Sequence, residues 1–372
     1  MSPDKWLDHH YLNEKFSGKF EHLPGIIKEL KLTPVQAKII TIAGTNGKGQ
    51  TARSLTYYLQ QAGRKTGLLT SPHLVTVNER FVFDQQQIED QELLSAFENL
   101  QAKLSQRVSY FEFLFLVFLW LANKKQLDFL ILEVGLGGRL DAVNAIDPDV
   151  CVITSISRDH QELLGDRYQQ ILGEKAGILR RGCQVFTAFQ LDYLDRKFAP
   201  KVAEMGADWF PLPLKTDKFS TLNAKLAKHI AEQVLGERIK SKCPDYARRF
   251  AIQKDGALFE GFPSHNLDGL RKLFQLLSAT KYNYIVLSFS QRSDEECEQM
   301  LRIMLRDYSA NQLIYLNRSH LKSLSTEKIK RLKDKFGFHT MDEINRDDLQ
   351  GNILVTGSNY FLGHFIQYLQ RC

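Results

Sequence analysis

The stretch Ile39-Ile40-Thr41-Ile42-Ala43-Gly44-Thr45-Asn46-Gly47-Lys48-Gly49-Gln50-Thr51 joins an apolar, β-branched run to a glycine-spaced loop carrying one lysine. The run reads as a buried strand and the residues after the loop as the start of a helix. Glycines at 44, 47 and 49 let backbone N–H groups close on phosphate oxygens, while Lys48 brings a point charge to the outer phosphates. The following helix adds its positive N-terminus. ATP is the first ligand this suggests, with Gly44, Thr45, Asn46, Gly47, Lys48, Gly49, Gln50 and Thr51 as its candidate binding residues. The spacing Gly-x-x-Gly-Lys is shorter than the common phosphate loop and lacks a hydroxyl directly after lysine, so an ordinary strand-to-helix turn is the competing reading.

Working outward, strand-like runs recur at Ala37–Ala43, Lys65–Thr70, Leu127–Glu133, Val150–Thr154 and Gln184–Thr187, with helix-length segments between them. That alternation predicts a parallel α/β sheet, in which ligands sit beyond the carboxyl ends of the strands. Gly44 to Thr51, Ser71, Glu133 to Asp141 and Ser155 to His160 all fall at such ends. The apolar stretch Phe113–Ala122 is too short to span a bilayer and reads as a buried helix. Lys201–Ser220, with Pro211 and Pro213, reads as irregular, and Thr221–Leu235 as a helix. Past a break near Lys240–Pro244, runs at Tyr284–Phe289, Leu313–Leu316 and Ile353–Thr356 alternate with helical patterns at Asp294–Arg306, Thr326–Lys335 and Phe361–Leu369. The expected architecture is a P-loop mononucleotide-binding parallel-sheet domain, residues 1–241, followed by a smaller Rossmann-like α/β domain, residues 242–372.

Bulk properties constrain function less. Of 372 residues, 43% are hydrophobic and 25% charged, and the net charge of +6 suits anionic small molecules as well as nucleic acid. No basic helix or aromatic platform supports nucleic-acid binding. Five cysteines without a Cys-x-x-Cys pair indicate neither a disulfide framework nor a zinc site. The N-terminus has no apolar core of signal-peptide type. A cytoplasmic monomer that engages no membrane is expected.

Single residues admit two readings each. Glu133 ends a strand before a glycine-rich turn and either holds magnesium or is a solvated cap. His160, in Thr-Ser-Ile-Ser-Arg-Asp-His, is either a ligand or a surface residue. Lys175 is an exposed helix lysine, or a buried one whose neutral amine takes up carbon dioxide to give an anionic carbamate. Arg249 and His265 are candidate active-site groups of the second domain.

Taken together, Ala-Gly-Thr-Asn-Gly-Lys-Gly, Thr-Ser-Pro-His-Leu with Asn78-Glu79-Arg80, Tyr-Phe-Glu from Tyr110, Ile-Leu-Glu-Val-Gly-Leu-Gly-Gly-Arg-Leu-Asp-Ala-x-Asn from Ile131, Thr-Ser-Ile-x-x-Asp-His from Thr154 and Glu-Lys-Ala-Gly-Ile from Glu174 form an ordered set over Ile39 to Gly182. This set resembles the folylpolyglutamate synthase and dihydrofolate synthase family, ATP-dependent glutamate-adding enzymes within the Mur ligase superfamily. The resemblance implies that Lys48 and its loop take the ATP phosphates, and that Mg2+ is held by Ser71, Glu133, His160 and a carbamylated Lys175. It further implies that Asn223 and Arg249 contact the nucleotide, and that Ser109, Phe111, Arg139 and Asp141 lie near the pterin. Lys48, His160, Lys175 and His265 are then the catalytic set. The chain departs from the family at Gln50, where Ser or Thr is usual, and at Phe262, where the aspartate of Asp-x-Ala-His-Asn is usual; Glu260 is a nearby carboxylate.

The activity so implied is an ATP-dependent ligase that adds L-glutamate to dihydropteroate, to folates or to both through an acyl phosphate. The alternatives are a non-catalytic or regulatory nucleotide-binding relative and a Mur-type ligase acting on another carboxylate.

Overall fold

The computed structural model describes residues 1–11, 21–34, 36–214, 219–316, 323–343 and 349–371. The chain divides into two compact units, Met1–Ser71 with Thr76–Tyr246, and Pro72–Val75 with Ala247–Cys372.

In the first unit eight strands form one sheet: β1 (Lys38–Ala43), β2 (Thr66–Leu69), β3 (Phe81–Phe83), β4 (Gln86–Gln87), β5 (Phe129–Glu133), β6 (Val150–Ile153), β7 (Gln184–Thr187) and β8 (Asp208–Pro211). Their order is β4-β3-β2-β5-β1-β6-β7-β8. From β2 to β8 every pairing is parallel, whereas β3 and β4 run antiparallel at one edge. Strands β1, β2, β5 and β6 are buried on both faces, which is why they read as continuous apolar runs rather than alternating ones. Helices cover both faces. The helix Tyr110–Ala122 is apolar nearly all round, and Phe113 to Leu119 have no exposed surface. Such a helix belongs inside a core, and each of those large side chains contributes about 1.5–3 kcal/mol by leaving water. On the other face, Ala52, Leu55 and Leu59 of the helix Lys48–Gln61 pack with Leu222, Leu226 and Ile230 of the helix Phe219–Leu235.

Among the described residues the second unit has six strands: β9 (Phe250–Lys254), β10 (Ala257–Pro263), β11 (Tyr284–Ser288), β12 (Leu313–Tyr315), β13 (His339–Thr340) and β14 (Gly351–Gly357). The order is β13-β12-β11-β14-β10-β9, parallel except for the β9–β10 hairpin.

The expected parallel sheets are present, with additions at their edges. The Lys201–Ser220 segment is not irregular throughout: Lys201–Glu204 finish the helix Asp192–Glu204, and β8 follows; residues 215–218 lie outside the described residues. A four-residue edge strand bounded by Asp208 and Pro211 is too short to show a period, so the two prolines dominate the sequence reading. The β9–β10 hairpin is a further addition, although its Asp255-Gly256 turn is a sequence signal: both residues have positive φ, as a tight hairpin needs. No helix among the described residues is long and apolar enough to cross a membrane. Four cysteines, Cys151, Cys183, Cys243 and Cys297, are buried and unbridged.

Candidate functional site

In the first unit β1 delivers the glycine loop. Ala43 ends the strand, Gly44 turns at φ 146°, and Gly47 turns at φ 87° to begin the helix Lys48–Gln61. Both glycines are required by their surroundings. A Cβ on Gly44 would lie 1.9 Å from Thr154 Oγ1, and one on Gly47 would lie 2.4 Å from Asn223 Oδ1. The loop is lashed to the segment that follows β6. Thr45 N–H donates to Ser155 O (2.8 Å), Asn46 N–H to Ser155 Oγ (2.9 Å), and Thr154 Oγ1 donates to Asn46 O (2.8 Å). The loop is thus held in shape by the protein itself.

Two lysines meet on this loop. Lys48 Nζ donates to Gly44 O (3.0 Å) and Thr45 O (3.3 Å), and Lys175 Nζ donates to the same Gly44 carbonyl (3.0 Å). Lys175 is 3% exposed, so the exposed-helix reading of this residue fails. Burial above all, and then the charge of Lys48, push its ammonium down to about 7, against the pull of Asp159 and Asp141. Asp141 is pushed up to about 6, chiefly by burial, although the N–H groups of Leu136 and Val143 and the charge of Lys48 oppose this.

A stability profile follows. An unfolded lysine keeps its proton up to 10.5, whereas folded Lys175 releases it near 7. Between these values the unfolded state binds more protons, so this residue makes the fold more stable as pH rises from 7 to 10.5. Lys175→Met should flatten that rise in urea midpoints measured across the interval. Parallel profiles for the two proteins would contradict the burial of a charged amine here.

Neighbouring strand ends supply the other groups. Glu133 closes β5, beside Ile42 of β1, and its Oε2 accepts from Ser71 N–H (2.9 Å) just past β2. Both residues are buried, which removes the reading of Glu133 as a solvated cap. His160 follows β6 in a left-handed conformation, φ 48°, unusual for a residue with a Cβ. Its ring is about half exposed, 4.0 Å from Asp159 and 3.9 Å from Glu162. Among the described residues no group of three or more His, Cys, Asp or Glu side chains is placed to hold a metal. The donors foreseen for magnesium are instead a hydroxyl, one carboxylate, one imidazole and a lysine derivative. Asp159 was not singled out as a site residue, although it stands inside a quoted motif. It is buried, it accepts from His160 N–H (3.1 Å), and its charge acts on Lys175.

The residues foreseen near the pterin are partly assembled. A Cβ on Gly135 would meet both Asp141 Oδ2 and the Phe111 ring at 3.3 Å, so those two side chains border one glycine. Ser109 caps the helix Tyr110–Ala122, its N–H donating to Glu112 Oε2 (2.6 Å). Arg139 is exposed and pairs with Glu174 (2.9 Å). Asn223 is buried against Gly47 and donates to Gln50 Oε1 (2.7 Å).

In the second unit Arg249 immediately precedes β9, and His265 lies in the turn between β10 and the helix Leu267–Leu276, which Asn266 caps. Phe262 is in register with Thr356 on β14, its carbonyl accepts from Thr356 Oγ1 (2.9 Å), and its ring packs on the cluster of Ile285, Leu287 and Phe289. Glu260 accepts from Tyr282 OH (3.0 Å). Phe262→Asp would therefore put a carboxylate into an apolar cluster. We expect a loss of about 2–4 kcal/mol in urea unfolding of the chain, and an unchanged midpoint would contradict this packing.

The Mur ligase middle domain family matches residues 42–186. Dihydrofolate synthase/folylpolyglutamate synthase of Haemophilus influenzae is 38% identical over 195 residues, 51% of this chain and 44% of that protein. The Escherichia coli protein of the same name is 47% identical over 143 residues, 38% of this chain and 34% of that protein. The matches therefore span less than half the length of these relatives. A solved structure of a bifunctional folylpolyglutamate synthase/dihydrofolate synthase with Mn, AMPPNP and L-glutamate bound superposes with a TM-score of 0.78 at 25% identity, covering 100% of this chain and 98% of that one. The chain thus carries a match to the Mur ligase middle domain over residues 42–186 and is similar in sequence and fold to folylpolyglutamate synthase and dihydrofolate synthase proteins, a likeness that includes the glycine loop, the half-buried Lys48 with buried Lys175, and the Ser71–Glu133 contact at the strand ends.

Proposed function

We propose that this protein is an ATP-dependent ligase that joins L-glutamate to dihydropteroate, to folates or to both, in folate biosynthesis. The observation that carries the reading is the glycine cradle at the end of β1, where Lys48 brings an ammonium to the start of a helix. A site so built favours a polyanion over a neutral ligand. The first unit is the proposed ATP-binding domain and the second the proposed glutamate-ligase domain, with Arg249 and His265 as its ligand-contacting groups.

The donor chemistry suits magnesium. Hydroxyl and carboxylate oxygens from Ser71 and Glu133 are hard ligands, and the depressed ammonium of Lys175 leaves a share of neutral amine at physiological pH, the form that adds carbon dioxide with loss of a proton. Ser71, Glu133, His160 and carbamylated Lys175 would hold the ion. When bound, it would neutralise charge on the β- and γ-phosphates.

The chain's own residues then have defined tasks. Backbone N–H groups at the start of the helix, residues 47–50, bind the phosphates within the loop 44–51, and Lys48 stabilises the negative charge that builds on the γ-phosphoryl group as the pterin carboxylate attacks its phosphorus. The bond from phosphorus to the β,γ-bridging oxygen breaks, and ADP leaves. The amine of glutamate next adds to the acyl carbon, phosphate departs, and the amine gives up a proton to form the amide. Phe111 and Asp141 border the space proposed for the pterin, with Ser109 and Arg139 on the segments flanking it. We further propose that the protein works as a cytoplasmic monomer, without nucleic acid or membrane.

The test is ADP release from ATP, magnesium and glutamate with either dihydropteroate or tetrahydrofolate as acceptor. Release that depends on an acceptor supports the reading; folded protein that is inactive with both overturns it in favour of a non-catalytic nucleotide-binding relative.

A further inference from the structure

Gln50 stands at the third residue of the helix that begins at Lys48, where the resembling family uses a hydroxyl. Gln50 Nε2 donates to Asp245 Oδ1 (3.1 Å), and Gln50 Oε1 accepts from Asn223 Nδ2 (2.7 Å). Asn223 in turn lies flat against Gly47, with both amide heteroatoms within 2.5 Å of where a Cβ on that glycine would be. Asp245, Gln50, Asn223 and Gly47 all belong to the first unit.

The direction of this chain of bonds is set at one end. A carboxylate only accepts, so the NH2 of Gln50 must face Asp245; its oxygen must then face Asn223, and the NH2 of Asn223 must face Gln50. The oxygen of Asn223 is thereby held on its other side. Without a fixed partner at Asp245 both amides can turn over together with no bond between them lost. We propose that Asp245 is a positioning residue for nucleotide binding: through Gln50 it fixes which way the Asn223 amide faces beside the phosphate loop. This rests on the nucleotide reading of that loop.

The test is a set of variants titrated with AMPPNP and magnesium, with KM for ATP and kcat measured separately. Because the Gln50–Asp245 bond is exposed, Asp245→Ala should weaken nucleotide binding only about threefold, with kcat and melting temperature unchanged. Asp245→Asn keeps a hydrogen bond to Gln50 but can donate as well as accept, so it no longer sets the direction of the chain of bonds and should weaken binding about as much as Asp245→Ala. A merely structural contact would be kept by the amide and would leave Asp245→Asn at wild-type affinity. Wild-type affinity in either folded variant would overturn the inference and leave the loop assignment standing. Wild-type protein that fails to bind AMPPNP would overturn both.

Discussion

Lys48→Ala is expected to lower kcat/KM for ATP by about a thousandfold or more, with the protein still folded. In the nucleotide-free fold the lysine is held against its own loop. Its amine gives two hydrogen bonds to carbonyls of its own loop, each worth about 1 kcal/mol, and one of those carbonyls also accepts from Lys175. Its value is electrostatic: a point charge inside a cradle whose walls are already fixed by the Thr154–Ser157 segment. Lys48→Arg should recover only part of the rate, because a planar guanidinium cannot occupy the place of an ammonium against those carbonyls. Steady-state rates of ADP release check this, and a Lys48→Ala protein with rates close to wild type would exclude the loop as the phosphate site.

Gly47→Ala is the second large effect. The backbone here is left-handed at φ 87°, which disfavours any Cβ by about 1–2 kcal/mol, and the added methyl would meet Asn223 Oδ1 at 2.4 Å. Either Asn223 leaves its place or the first turn of the helix shifts, and both disturb the N–H groups proposed to bind phosphate. A loss of about a hundredfold in AMPPNP affinity is expected, with a fall of a few degrees in melting temperature. Adding Asn223→Ala relieves the collision and not the backbone strain, so stability should recover in part while affinity does not. Gly47→Ala with unchanged affinity would mean that the loop does not approach the ligand.

Legibility from the sequence followed the physics of each feature. The parallel strands β1, β2, β5, β6 and β7 were readable because burial on both faces makes them unbroken apolar runs, and the glycine loop because only glycine tolerates its turns. Edge strands were not. Strands β3, β4, β8 and β13 have two to four residues, too few to carry a period, and β9 is half exposed. Among the site residues, Glu133 and Lys175 were ambiguous because burial decides their chemistry and burial is a property of the fold. Asp159 was overlooked because its influence on Lys175 is electrostatic across two segments, and the bonding of Gln50 to Asp245 spans 195 positions, which no local pattern reveals. Phe262 was legible as a departure, but its place in the β10–β14 pairing was not.

The account depends on the end of β1 gripping a triphosphate. The most direct measurement is a crystal structure of the full chain grown with magnesium and AMPPNP. It should show the phosphates on the N–H groups of residues 47–50, Lys48 turned from the Gly44 carbonyl to the γ-phosphate, and the ion on Ser71 and Glu133. Nucleotide bound elsewhere, with Lys48 still on Gly44 and the cradle closed, would contradict it.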